Sequence, residues 1–295
     1  LPDAAVKNTL IDSSTVREAS NMQISRREAC KWLGLSSALF SSAPLLAASE
    51  RQLKNIGLQL YTVRDQMAQD VERTLAAVAK AGYSEVETAG TGNLSADKFA
   101  TALGKYGLSA PAAHIPITAI EQQTEQVLQN AQTIGYRYLV VPWLPQELRN
   151  HDGYARTAQT MNRFGHQCAA QGIQLAYHNH DFEFEQLGEQ TAFDFLLTNC
   201  DRDLVKFELD LFWAAHAGVD AAQILSDDPQ RFPMCHVKDR NAAGEMVDVG
   251  AGEIDFAGLF KAGTGLQHYF VEHDRPANSL ASIKASIAAL KTVRY

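Results

Sequence analysis

Short apolar runs alternate along the chain with stretches in which apolar residues recur every three or four positions. Ile56-Gly57-Leu58-Gln59-Leu60-Tyr61 is the first such run and predicts a strand. After it, Met67, Val71, Leu75 and Val78 fall on one face of a helix that Gly82 ends as a C-cap. Further strands are predicted to begin near Ser84, Ser109, Arg137, Ile173, Leu204, Phe232 and His268. Their spacing averages about 30 residues, the length of one β-α unit. The fourth helix repeats the pattern, with Ala158, Met161, Phe164 and Cys168 on one face and Gly172 at its end. Eight such units in residues 50–295 predict an α/β protein with a single closed (β/α)8 TIM barrel. An open doubly wound sheet would use fewer strands, and no Gly-x-Gly-x-x-Gly follows the first strand.

Residues 1–49 break from this rhythm. Ser25-Arg26-Arg27-Glu28-Ala29-Cys30-Lys31 leads into an uncharged stretch, Trp32 to Ala48, rich in Leu, Ala and Ser. Ala47, Ala48 and Ser49 close it, and charged Glu50 and Arg51 follow. A basic start, a short apolar centre and a small-residue end predict a cleavable signal peptide, cut near Ala48. The adjacent arginines resemble a twin-arginine export signal, although Ala29 stands where that signal usually has a bulkier apolar residue. A membrane anchor is disfavoured, because Pro44 and several serines interrupt the stretch. Residues 1–21 lack an initial Met and place acidic residues ahead of the basic start, so translation is expected to begin at Met22. The barrel is therefore expected in the periplasm, after handling by the twin-arginine export machinery.

Composition narrows the function. With 46% apolar and 20% charged residues among 295, the chain is too apolar to be disordered. Residues 50–295 hold 21 Lys and Arg against 30 Asp and Glu, about −9 in charge, which argues against a nucleic-acid partner. Only Cys168, Cys200 and Cys235 follow the signal, an odd number that leaves at least one free thiol.

The polar residues at the predicted strand ends carry the chemistry, because a barrel of this type builds its site at the C-terminal ends of its strands. The fifth strand ends Tyr177-His178-Asn179-His180-Asp181, and the sixth ends Phe207-Glu208-Leu209-Asp210. The seventh ends Cys235-His236-Val237-Lys238-Asp239, and the eighth ends Val271-Glu272-His273-Asp274. Period-two alternation puts His178 with His180, Glu208 with Asp210, His236 with Lys238 and Glu272 with Asp274. Four successive strands offering imidazole or carboxylate at one height suit one divalent metal ion, Mn, Co or Zn rather than Mg. Glu208, one layer below Asp210, is read as a buried partner of Lys206 or Lys238. His151, His166, His216 and His268 are assigned no role. Gln59, Tyr61, Glu87, His114 and Trp143 end the first four strands and are candidate substrate contacts, with Trp213 as a further stacking aromatic. Lys238 is the candidate for neutralising an oxyanion. The glycine-rich loop Val249–Asp255 contains no Lys and is not expected to cradle phosphate.

These segments resemble the xylose isomerase-like barrel superfamily, in its sugar phosphate isomerase/epimerase branch. The matching pieces are Ile56–Arg64, Val86-Glu87, Tyr177–Phe184, Leu209–Trp213, His236–Asp239 and Val271-Glu272. The resemblance implies a metal held by Asp210, His236 and Glu272 together with His178, which stands where keto-sugar epimerases carry a Glu. Those epimerases use two glutamates as an acid/base pair, so the replacement weakens a symmetrical two-base reaction. The His-Asn-His form also resembles exported members acting on 3-keto-glycosides and, more distantly, inosose dehydratases. There a base removes an α-proton and a leaving group departs by β-elimination.

The expected function is a divalent-metal-dependent isomerase/epimerase acting on a keto sugar through a metal-stabilised enediolate. His180 or Glu272 would take the proton, and Lys238 would stabilise the oxyanion. A 3-keto-glycoside lyase using the same metal is the alternative. A non-catalytic sugar-binding protein and an endonuclease-like barrel stand further back. The expected partner is a small sugar or glycoside, unphosphorylated because sugar phosphates are cytoplasmic. A homo-oligomer is left open.

Overall fold

The computed structural model describes residues 50–295. The expected signal peptide, its cleavage site and the Met22 start lie in or at the edge of residues 1–49, outside the described residues. Eight parallel strands close on themselves: β1 Gly57–Gln59, β2 Glu85–Thr88, β3 Ser109–His114, β4 Tyr138–Val141, β5 Gln174–His178, β6 Val205–Asp210, β7 Met234–Val237 and β8 His268–Val271. Each pairs with its neighbours in sequence, and β8 closes the barrel on β1 through Gly57 opposite Phe270.

Alternation along each strand sorts the side chains into two cores. Leu139, Val141, Leu175, Tyr177, Cys235 and Val237 join the large core between barrel and helices. The residues between them, Tyr138, Val140, Ala176 and Met234, pack with Ala112 and Phe270 as a separate cluster inside the barrel. That apolar plug sits one pleat below the polar strand ends and floors the site. Below it His268 pairs with Glu85 at 2.8 Å, which gives this histidine a structural partner far from the strand C-termini. Gly57 has no side chain because the Phe270 ring occupies that space. Gly57→Ala is expected to cost about 1–3 kcal/mol by overpacking, read as a lower urea midpoint with unchanged slope.

The predicted helices form with one difference. The run from Met67 to Val78 is two helices, Arg64–Gln69 and Val71–Ala81. Asp70 takes an extended conformation between them, and its carboxylate accepts the Arg73 N–H at 2.9 Å, so local capping overrides an unbroken apolar face. Gly82 caps the second helix at φ 106°, as expected. The fourth predicted helix runs from His151 to Ala169 and buries Ala158, Met161, Phe164 and Cys168. All three cysteines of the described residues are buried free thiols. No helix among the described residues is long and apolar enough to cross a membrane.

Candidate active site at the C-terminal mouth of the barrel

The ends of β5 to β8 bring His178, Asp210, His236 and Glu272 together, with one ligand atom of each within 4.8 Å of the others. All four side chains are buried. His178 donates from Nδ1 to the Pro142 carbonyl oxygen at 3.0 Å, which leaves Nε2 facing Asp210 Oδ2 at 3.2 Å. His236 is turned the other way. Its Nδ1 lies 2.9 Å from Glu272 Oε2 and 3.7 Å from Asp210 Oδ2. Two imidazole nitrogens and two carboxylates converging on one point form a donor set that suits Zn, Mn or Co better than Mg. Despite its closeness to Glu272, the buried His236 Nδ1 makes no well-directed hydrogen bond, which is what a nitrogen reserved for a cation would show. The residues present therefore fit the metal that the sequence led us to expect.

Lys238 follows β7 and is fully buried among carboxylates. Its Nζ lies 2.7 Å from Glu272, 3.0 Å from Asp210 and 2.9 Å from Asp274. Burial alone would lower its pKa, but the three carboxylates outweigh burial and hold it well above the ordinary lysine value. Burial likewise works against the Asp210 and Glu272 anions, yet Lys238 and the histidines keep both carboxyls well below their usual range. The ammonium also lies 5.9 Å from the Trp213 ring centroid.

His180 sits just past β5. Its ring meets His178 edge-on at 4.9 Å and lies 5.4 Å from Trp213. Burial, then the neighbouring His178 and Lys238, push its pKa down to about 2, so the imidazole is neutral. His180 Nδ1 and Trp213 Nε1 are both buried without a partner. The sequence marked His180 as a candidate base and Trp213 as a stacking aromatic, but not the Trp213 N–H as a donor. Glu183 fixes this turn, accepting the His180 N–H at 2.7 Å and the Tyr177 hydroxyl at 2.5 Å. Asn179 ties β5 to β6 by accepting the Asp210 N–H at 3.0 Å. Both residues lie in the segment singled out for its resemblance, although their roles depend on partners the sequence does not show.

The expected substrate contacts divide into two groups. Tyr61 and Trp143 remain open at the mouth, 44% and 46% exposed, and each is covered on one face by an arginine, Arg64 and Arg149. Trp213 is half-buried beside His180. Gln59 and Glu87 instead are fully buried, and Gln59 donates to Glu87 Oε2 at 2.6 Å. They reach the site through His236 rather than through an open surface. His114 lies between Glu87 and Glu208 at 3.1 and 3.3 Å. Burial disfavours its charge, but these two carboxylates prevail and raise its pKa to about 9.

Glu208 departs from expectation. It pairs with His114 and His236 rather than with Lys206 or Lys238, and Lys206 donates instead to the Arg202 carbonyl. Glu208 stands opposite Met234, within the barrel, so it points across the interior toward β3 and below the reach of Lys238. His151, His166 and His216 are exposed, and none joins the cluster. The Val249–Asp255 loop serves an internal anion. Backbone N–H groups of Gly250, Gly252 and Ile254 donate to the buried Asp239 carboxylate at 2.9, 3.0 and 3.2 Å. A side chain at Gly252 would run into that carboxylate.

Comparison with known proteins agrees with the architecture. No curated protein matches the chain significantly in sequence. A sugar phosphate isomerase/epimerase from Parabacteroides distasonis superposes with a TM-score of 0.72 at 24% identity, over 83% of this chain and 96% of that one. The IOLI protein, solved with a zinc atom, gives 0.64 at 16% identity over 80% and 96%. A 3-keto-D-glucoside 4-epimerase from E. coli gives 0.62 at 18% identity over 81% and 99%. At these identities the likeness is one of fold. The sequence pattern of a whole family, however, matches residues 75–292, and the chain belongs to the xylose isomerase-like TIM barrel family.

Proposed function

We propose that this protein is a divalent-metal-dependent isomerase or epimerase of an unphosphorylated keto sugar or keto-glycoside. The observation that carries the reading is the buried four-residue ligand cluster with the unpartnered His180 Nδ1 beside it. A cation held by His178, Asp210, His236 and Glu272 would supply Lewis acidity to a ketone and its neighbouring hydroxyl. His180 Nδ1 is placed to accept the proton from the hydroxyl-bearing carbon next to the ketone, since Glu272 is paired with Lys238 and belongs to the ligand cluster. Lys238 donates toward the oxygen on which charge develops, and Asp274 anchors the ammonium from its far side. The Trp213 indole N–H is a free donor for a substrate hydroxyl, and Tyr61 and Trp143 offer ring faces at the entrance.

A single unengaged base also supports the lyase alternative, in which an adjacent alkoxide leaves after the same proton transfer. Among the solved relatives, the 3-keto-glucoside epimerase and the zinc-containing protein fit a keto-sugar reading with a metal. The twin-arginine-like segment supports a periplasmic site of action, where glycosides rather than sugar phosphates are met.

The test is incubation with ketoses and 3-keto-glycosides in D2O. Deuterium entering the α-carbon of recovered sugar, with no alkoxide released, is the expected result. Release of the aglycone would move the lyase to first place, and absence of both would reject the assignment. His180→Ala is expected to lower exchange about 10²–10⁴-fold while leaving ion content unchanged. Ordinary exchange in that variant would transfer the base to Glu272.

A further inference from the structure

His236 is gripped from two sides. Its Nδ1 faces Glu272 and Asp210, while its Nε2 lies 2.7 Å from Glu87 Oε2 and 3.2 Å from Glu208 Oε2. Glu87, His114, Glu208 and His236 also bring four ligand-type atoms within 4.8 Å of one another. Two arrangements compete for this second set. Either it holds a second ion that shares His236, or it holds His236 in place for one ion.

An imidazole that gives Nδ1 to a cation keeps its proton on Nε2, and a second ion there would require that proton to leave. The surroundings favour the proton, since Nε2–H already has an acceptor at hydrogen-bonding distance. That acceptor is itself pinned. Gln59 donates to the same Glu87 oxygen at 2.6 Å and accepts the Tyr61 N–H at 3.0 Å, so the chain entering from β1 fixes the carboxylate. His178 follows the same scheme with its nitrogens exchanged, donating from Nδ1 to a carbonyl and presenting Nε2. The buried Oε1 atoms of Glu87 and Glu208, which lack a partner, are the feature a second ion would explain, so stoichiometry decides between the two.

We propose that Glu87, aligned by Gln59 and backed by Glu208, is a positioning residue that fixes His236 with its proton on Nε2, so that the barrel holds one ion rather than two. This rests on the reading that His178, Asp210, His236 and Glu272 bind a metal.

The experiment is titration of the metal-stripped protein with Mn²⁺ and Zn²⁺ by calorimetry and equilibrium dialysis, with thermal melts as a control for folding. Wild type is expected to bind one equivalent. Glu87→Ala should still bind one, about 10–100-fold more weakly. Glu87→Gln, whose amide oxygen also accepts from Nε2–H, should recover most of the affinity, a rescue that a merely structural role would not predict. Gln59→Leu leaves Glu87 in place but unpinned, and a several-fold loss is expected there even if Glu87→Ala fails to fold. Two equivalents in wild type falling to one in Glu87→Ala would overturn the proposal in favour of a second ion. Unchanged affinity in folded Glu87→Ala and Gln59→Leu would also overturn it. Wild type binding no ion at all would instead refute the metal reading on which it rests.

Discussion

Asp210→Asn is expected to lose the metal ion and the activity together. Asp210 is fully buried, with Oδ2 facing His178 at 3.2 Å and Lys238 at 3.0 Å. Its Oδ1 accepts the Trp213 N–H at 2.9 Å and so caps the helix Leu211–His216, while its own N–H is held by Asn179. Asparagine has nearly the same shape and keeps a carbonyl oxygen for the cap, so the helix should survive. What goes is the negative charge. An amide is a poor ligand for Mn, Co or Zn, and it cannot balance the Lys238 ammonium. Ion content should fall from about one equivalent to near zero, and kcat/KM should drop by at least about 10³-fold. Elemental analysis beside turnover and circular dichroism checks the prediction. A folded variant with full activity would refute the placement of Asp210 among the ligands.

Lys238→Met separates binding from chemistry. The ammonium lies within 3.0 Å of Asp210, Glu272 and Asp274, and the first two are also ligand candidates. Removing it leaves buried carboxylates without their cation, so the metal-free variant should lose roughly 3–5 kcal/mol of stability. An added divalent ion would compensate those same carboxylates, so the metal should raise the melting temperature more in the variant than in wild type. Ion affinity should therefore be equal or higher. Turnover should fall about 10²–10³-fold, because the donor aimed at the developing oxyanion is gone. Retained ion with lost turnover supports the assigned role. Loss of ion along with turnover would make Lys238 a clamp for the ligands, and undiminished turnover would remove it from the chemistry.

The barrel was legible because its repeat is carried by many independent positions. Eight apolar runs at nearly even spacing survive local surprises, such as the break at Asp70. The cluster that could hold a metal was legible for a related reason. His178, Asp210, His236 and Glu272 each stand where a strand ends, and strand ends share one rim. Depth within the rim was not legible. Gln59 and Glu87 lie at the ends of β1 and β2 much as His178 does at the end of β5, yet both are buried, Glu87 against His236 and Gln59 against Glu87, instead of facing solvent. Glu208 was read as buried below Asp210 but given the wrong partners, since alternation tells which face a side chain takes but not which strand across the barrel it meets. The Asp239 loop was hidden because its partners are backbone N–H groups, which leave no mark in the residue types beyond two glycines.

One ion is expected in the cluster at the ends of β5 to β8. Anomalous diffraction from crystals grown with Mn²⁺ or Zn²⁺ tests it most directly. The expected result is a single strong peak about 2.0–2.2 Å from His178 Nε2, His236 Nδ1 and the Asp210 and Glu272 carboxylates, with Lys238 retained by Asp274. A peak centred instead among Glu87, His114 and Glu208, or no peak from a protein that still turns over substrate, would contradict it.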